Sequence, residues 1–297
     1  MRETREILEN AVVIGAHPDD ELLWFNAVMK DAAHVIIVFR EFWAQPGLGE
    51  ARAKAIAELP HPNVTCLDID EAGTHGCADW ANPVINDVGI AFSLTAGVRE
   101  VKRRIKQTVD MFTPARPVYA SQSVADAYRQ NYYLIRDALR PHLSADMNVF
   151  THNPWGEYGH EDHIQVFRVL EHLRDEIGFT LWMSNYCTER ALPLACRYFQ
   201  AEPGGYVRLP TDKAYADKVA AVYRKHGCWT WDDNWAWFDE ECFMQAPARG
   251  SKPKPHRHLM PLNMFTIGDE GNRSMLPLAA GLSLASAGIG MALADAI

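Results

Sequence analysis

Short apolar runs alternate with amphipathic stretches along the first three quarters of the chain. AVVIGA (11–16), HVIIVFR (34–40) and VTCLDID (64–70) are brief and rich in β-branched residues, the signature of buried strands. Between them, DDELLWFNAVMK (19–30) and GEARAKAIAEL (49–59) carry helical periodicity, the second closed by Pro60 and Pro62. The alternation continues downstream. Helices are predicted over 98–112, 126–143, 160–177 and 213–226, and strands over 117–121, 147–153 and 180–186. Strand followed by helix, repeated, predicts an α/β fold: a Rossmann-like, mostly parallel sheet with helices on both faces.

The rhythm breaks in three places. Residues 71–92 form a long irregular segment, a length that in compact domains usually serves function. The stretch CWTWDDNWAWFDEECF (228–243) holds four of the nine tryptophans. Residues 276–294 are uncharged but built of Ala, Gly and Ser, which favours a docked helix over a membrane anchor. The expected organisation is a catalytic domain over 1–226 with a C-terminal extension, 227–297, packed on it.

Composition narrows the classes. The net charge is −9 and no basic run is long enough to neutralise a row of phosphates, so nucleic acid is not the expected partner. Six cysteines occur without a CxxC pair, which predicts free thiols and a cytoplasmic protein. Nothing in the chain specifies an oligomeric state.

Two polar clusters follow predicted strands immediately. AHPDDE (16–21) follows the first, and THNPWGEYGHEDHIQ (151–165) follows the strand at 147–153. In open parallel sheets the carboxyl ends of strands border the ligand crevice, so both clusters belong at its rim. Capping alone explains an Asp at a helix start. It does not explain histidines and acids delivered twice to the same rim. His160 and His163 lie three apart at a helix start and share a face. His17, Asp20 and one of these two histidines make the three-ligand set of a catalytic zinc. Asp19 is then left over as a base and the second histidine to face substrate, the parts of metal-assisted hydrolysis.

At these residues the sequence resembles the zinc-dependent de-N-acetylases of the LmbE/PIG-L family, which carry AHPDDE after the first strand and GHxDH after a later one. Here the motifs stand at 16–21 and 159–163. The resemblance implies that His17, Asp20 and His163 bind one Zn2+ or a similar divalent ion such as Fe2+. It implies Asp19 as general base, and His160 as the group that stabilises the oxyanion or protonates the leaving amine. Asp162 would orient His160, and Tyr158 would help polarise the amide carbonyl. The implied reaction removes acetyl from an amino sugar or glycoconjugate. Alternatives are a zinc amidase for another amide, such as a thiol conjugate or acyl sugar, and a non-catalytic Rossmann-like binding module. A dinucleotide-binding role lacks its GxGxxG turn.

The chain departs from the family pattern at Glu161, where many relatives have proline, and at Ala55, where an acid commonly follows an arginine equivalent to Arg52. Segment 114–125 reads as an addition, and the chain beyond 227 matches nothing in the pattern. Arg52, Trp155 and Trp43 are the expected substrate contacts. The tryptophans at 229, 231, 235 and 237 are expected to pack the extension onto the domain, since aromatic rings carry large buried areas. His75, Asp79, His256 and His258 are expected at the surface.

Overall fold

β1 (Ala11–Gly15) is buried at every position and lies at the centre of a seven-stranded sheet. The other strands are β2 (His34–Glu41), β3 (Val64–Asp70), β4 (Asn148–Thr151), β5 (Thr180–Met183), β6 (Tyr206–Pro210) and β7 (Glu240–Gln245). The computed structural model describes residues 7–45, 47–93, 123–198, 200–201, 205–248 and 258–267. The predicted elements at 98–112, 117–121 and 276–294 lie outside them, as does His256. The strands belong to a unit spanning Met1–Met264; Phe265–Ile297 form a separate one.

The sheet order is β6-β7-β5-β4-β1-β2-β3. β3, β2, β1, β4 and β5 pair in parallel, while β7 runs antiparallel to both β5 and β6. The fold is therefore a mostly parallel α/β sheet with helices. Its order reverses between β1 and β4: the chain runs outward one way through β2 and β3 and the other way through β4 and β5. That reversal opens a crevice at the carboxyl ends of β1 and β4. β7 lies within the stretch expected as a C-terminal extension, yet it supplies an internal strand of the sheet.

The helices agree with the apolar periodicity in most places. They are α1 (Asp20–Leu23), α2 (Asn26–Met29), α3 (Leu48–Ala57), α4 (Val124–Leu139), α5 (Glu161–Ile177), α6 (Leu192–Ala195) and α7 (Lys213–Lys225). α4 starts on Ser123, whose hydroxyl accepts from the Asp126 N–H, and it packs against α5. α5 ends on Gly178, whose φ of 97° suits only a residue without Cβ. The single helix expected over 19–30 is instead broken at Trp24–Phe25. The first N–H groups of α2, on Asn26 and Ala27, donate to the buried carboxylate of Glu241 at 3.2 and 2.9 Å. An acid 215 residues downstream thus caps a helix that local periodicity would have run straight through.

The irregular segment 71–92 holds a small hairpin, Ile85–Asn86 with Gly89–Ile90. It is tied to α5 by the side chains of Glu161, Asp162, which accepts from the Thr74 hydroxyl, and Gln165, which donates to the Val88 carbonyl. The Glu161 carboxylate accepts from the N–H groups of Gly76 and Ala78 and from the Trp80 indole. Glu161 therefore anchors the long loop. Among the described residues no helix is long and apolar enough to cross a membrane. All six cysteines are free.

Candidate metal centre

The turn after β1 places His17, Asp19 and Asp20 under the turn that leads from β4 into α5. The latter turn is built on glycines. Gly156 has φ 65°, and a Cβ there would lie 2.5 Å from the His160 carbonyl oxygen; Gly159 has φ 84°. Only glycine lets the chain fold back closely enough to start α5 with His160 and present His163 on its first turn.

Three candidate ligand atoms converge. His17 Nδ1 lies 3.2 Å from Asp20 Oδ2. His163 Nε2 lies 3.3 Å from His17 Nδ1 and 3.4 Å from Asp20 Oδ2. Tetrahedral zinc, with bonds of about 2.0–2.1 Å, separates its ligand atoms by ~3.3–3.4 Å. The triangle therefore has the edges that such an ion requires. Each ligand is fixed from behind. His163 Nδ1 lies 2.8 Å from Glu157 Oε2, which commits Nε2 to the centre. Asp20 Oδ1 accepts from the Trp24 indole N–H at 2.7 Å, and the His17 N–H donates to Oδ2 at 2.6 Å. His17 Nε2 faces Asp162 Oδ2 at 3.5 Å and Glu71 Oε1 at 3.8 Å.

His152 also reaches this cluster, its Nε2 3.4 Å from Asp20. That nitrogen accepts the Ala16 N–H at 2.8 Å, which occupies its lone pair. Its other nitrogen lies 3.1 Å from the same Glu157 oxygen that holds His163. Glu157 is fully buried with φ 52° and also accepts from the Asn153 N–H and the Ser184 hydroxyl.

The donor set suits a cation. Asp19, Asp20, Glu71, Glu157 and Asp162 are all buried here, with Arg52 the buried cation beside them. Burial opposes charge on His17, but Asp162, Asp20 and Glu71 outweigh it and raise its pKa from 6.5 to about 10. Burial, reinforced by Asp20, pushes the Asp19 carboxyl up to about 7. Asp19 sits at φ 101°, a left-handed conformation that costs a non-glycine residue about 1–3 kcal/mol. Its N–H donates to Glu21, whose other oxygen accepts from Tyr223, and its Oδ2 accepts from the Thr230 hydroxyl at 2.8 Å.

His160 borders the triangle, its ring centroid 4.7 Å from those of His17 and His163. Its Nδ1 accepts the Asp162 N–H at 3.2 Å, so the neutral ring carries its proton on Nε2. Burial, together with His163, His17 and His75, holds its pKa well below 6.5. The Asp162 carboxylate turns instead to the Thr74 hydroxyl, at 2.8 Å, and to His17. Tyr158 stands within 5.5 Å of both His160 and His163, between centroids. Burial and the surrounding carboxylates hold its phenol well above 10, so it remains a donor.

The expected substrate contacts divide. Trp155 is fully buried, its indole N–H donated to the Tyr186 carbonyl at 2.8 Å; it packs the core under the crevice rather than facing it. Arg52 is buried and turned to Glu71 and the Arg40 carbonyl. Trp43 is half-buried against Gly73, the neighbour of Thr74. His75 is exposed as expected, although its ring lies 5.1 Å from His160. Glu71, Thr74, His152, Glu157 and Thr230 escaped sequence reasoning. Only His152, a histidine directly after β4, carried a local signal.

No family model and no curated protein matches the chain. Among solved structures it is similar to a deacetylase–teicoplanin complex from the teicoplanin biosynthesis pathway. The identity is 11% over 81% of this chain and 99% of that one, with a TM-score of 0.41.

Proposed function

We propose that this protein is a zinc-dependent amidase that removes acetyl from an amino sugar or glycoconjugate, releasing acetate and a free amine. The observation that carries the reading is the triangle of His17 Nδ1, Asp20 Oδ2 and His163 Nε2, with edges of 3.2–3.4 Å. A divalent ion held there supplies a Lewis acid that polarises an amide carbonyl and acidifies water.

The chain's own residues account for the proton traffic. Asp19 takes the proton of the attacking water and returns it to the amine nitrogen as the C–N bond breaks. Its left-handed backbone and its bonds to Glu21 and Thr230 hold the carboxylate in place. His160, as a neutral imidazole, donates a hydrogen bond from its Nε2–H to the developing oxyanion, and the Tyr158 hydroxyl donates a second. Loss of such a donor typically costs about 2.7–4 kcal/mol of barrier.

Metal analysis and acetate release from a panel of N-acetylated amino sugars test this reading. About one equivalent of zinc is expected in the purified protein, and little in His163→Ala. Asp19→Asn should lower kcat by roughly 10²–10⁴ while retaining metal. Full zinc occupancy in His163→Ala, or undiminished turnover in Asp19→Asn, overturns the reading.

A further inference from the structure

The segment between α7 and β7 was expected to pack an extension, and two of its four tryptophans do pack. Trp229 lies under the Arg224 guanidinium, 4.7 Å from its ring centroid, and the Trp237 indole donates to Asp217 at 2.8 Å. Both partners are on α7, so these rings pin the segment to that helix. The other two face elsewhere. Trp231 meets Trp24 edge-on at 5.2 Å and Tyr158 at 5.4 Å, and Trp235 meets Trp231 at 5.6 Å and Trp24 at 6.1 Å.

Trp24 is the floor of this group, fully buried, and its indole N–H holds the metal ligand Asp20. Thr230, next to Trp231, holds the base Asp19. The aromatic group thus begins at the reacting centre and extends away from it. Trp231, Trp235 and Tyr158 are each half-buried, as are Trp229 and Trp237; what sets the first three apart is their place against Trp24 and one another. A half-buried indole beside a reaction centre favours a flat ring laid against it, because dispersion and C–H/π contact are gained without a directional hydrogen bond.

We infer that Trp231, with Trp235 and Tyr158, forms a ring-binding subsite that accepts a flat cyclic substituent of the amide substrate. The inference rests on the amidase reading. The shared chemistry is a ring presenting an apolar face, supplied either by a sugar or by an aromatic group.

Three acetamides separate these sources: N-acetylglucosamine, N-acetylbenzylamine and the ringless N-acetylethanolamine. Binding is read by tryptophan fluorescence in the zinc-loaded Asp19→Asn protein, which holds the amide without rapid turnover. Acetate release is read in the otherwise unaltered enzyme. At least one ring-bearing amide is expected to bind about tenfold tighter than N-acetylethanolamine, and Trp231→Leu should erase that preference. Leucine keeps the apolar bulk and removes the aromatic face; Trp235→Leu, one ring further out, should reduce the preference less. Whichever ring is preferred identifies the source. The subsite is overturned if the protein shows no ring preference, or if Trp231→Leu retains it. Loss of zinc and of acetate release from all three amides would instead sink the amidase reading itself.

Discussion

Glu157 illustrates how much one buried carboxylate can organise. One of its oxygens lies within hydrogen-bond reach of Nδ1 on both His152 and His163. The other accepts from Asn153 and Ser184. Burial alone would raise its pKa, but His152 and His163 outweigh that and hold it at about 2. A ligand histidine held in this way has its tautomer and ring orientation set before the ion arrives. Glu157→Gln should therefore weaken zinc binding about 10–100-fold without removing a ligand, measured by competition with a chelating dye. Unchanged affinity would reduce Glu157 to a packing role. Such residues are hard to read in a sequence. Glu157 sits between two motif-like stretches at a position with no periodicity, and its partners are assembled by a left-handed turn. His17, Asp19 and Asp20 stood out because they follow directly on β1, and His160 and His163 because they lie three apart at the start of α5.

At the scale of elements, α2 depends on β7. Its free N-terminal N–H groups are satisfied by Glu241, which also accepts from the Tyr186 hydroxyl at 2.8 Å. Burial raises the Glu241 pKa from 4.5 to about 7 despite these donors. The folded state therefore holds a proton between those two values that the unfolded state has released. Stability from this group is fully present below pH 4.5 and falls as pH rises towards 7, by roughly 3 kcal/mol. Urea unfolding at several pH values should show that decline to be shallower in Glu241→Gln. The variant itself costs about 1–3 kcal/mol, because an amide cannot accept from both sides of the α2 terminus. An equal pH slope in both proteins would refute the assignment. Strand and helix types were legible from apolar period, as in β1, β2, β3 and α5. The break at Phe25 and strand β7 were not, because each is set by a partner more than two hundred residues away or hidden among tryptophans.

For the molecule as a whole, the proposed metal centre joins the β1 turn to the β4–α5 turn, and Thr230 brings the α7–β7 segment to Asp19, the proposed base. An ion bound only by the folded arrangement stabilises it by mass action, about 2.7 kcal/mol when free zinc is a hundred times its Kd. Chelation should lower the melting temperature, zinc should restore it, and His163→Ala should be insensitive to both. A wild-type protein equally stable with and without metal would argue against a shared site. The sequence by itself determined the α/β alternation and placed His17, Asp19 and Asp20 at the end of β1, because apolar periodicity and strand-end motifs are local properties of the chain. Tertiary structure alone decided the rest. It gathered His17, Asp20 and His163 with His152 alongside, turned the Asp162 carboxylate to His17, buried Trp155 and set Trp231 beside Trp24 and Tyr158. Each of those outcomes depends on which groups meet across the β1–β4 crevice, and contacts of that kind have no period along a chain.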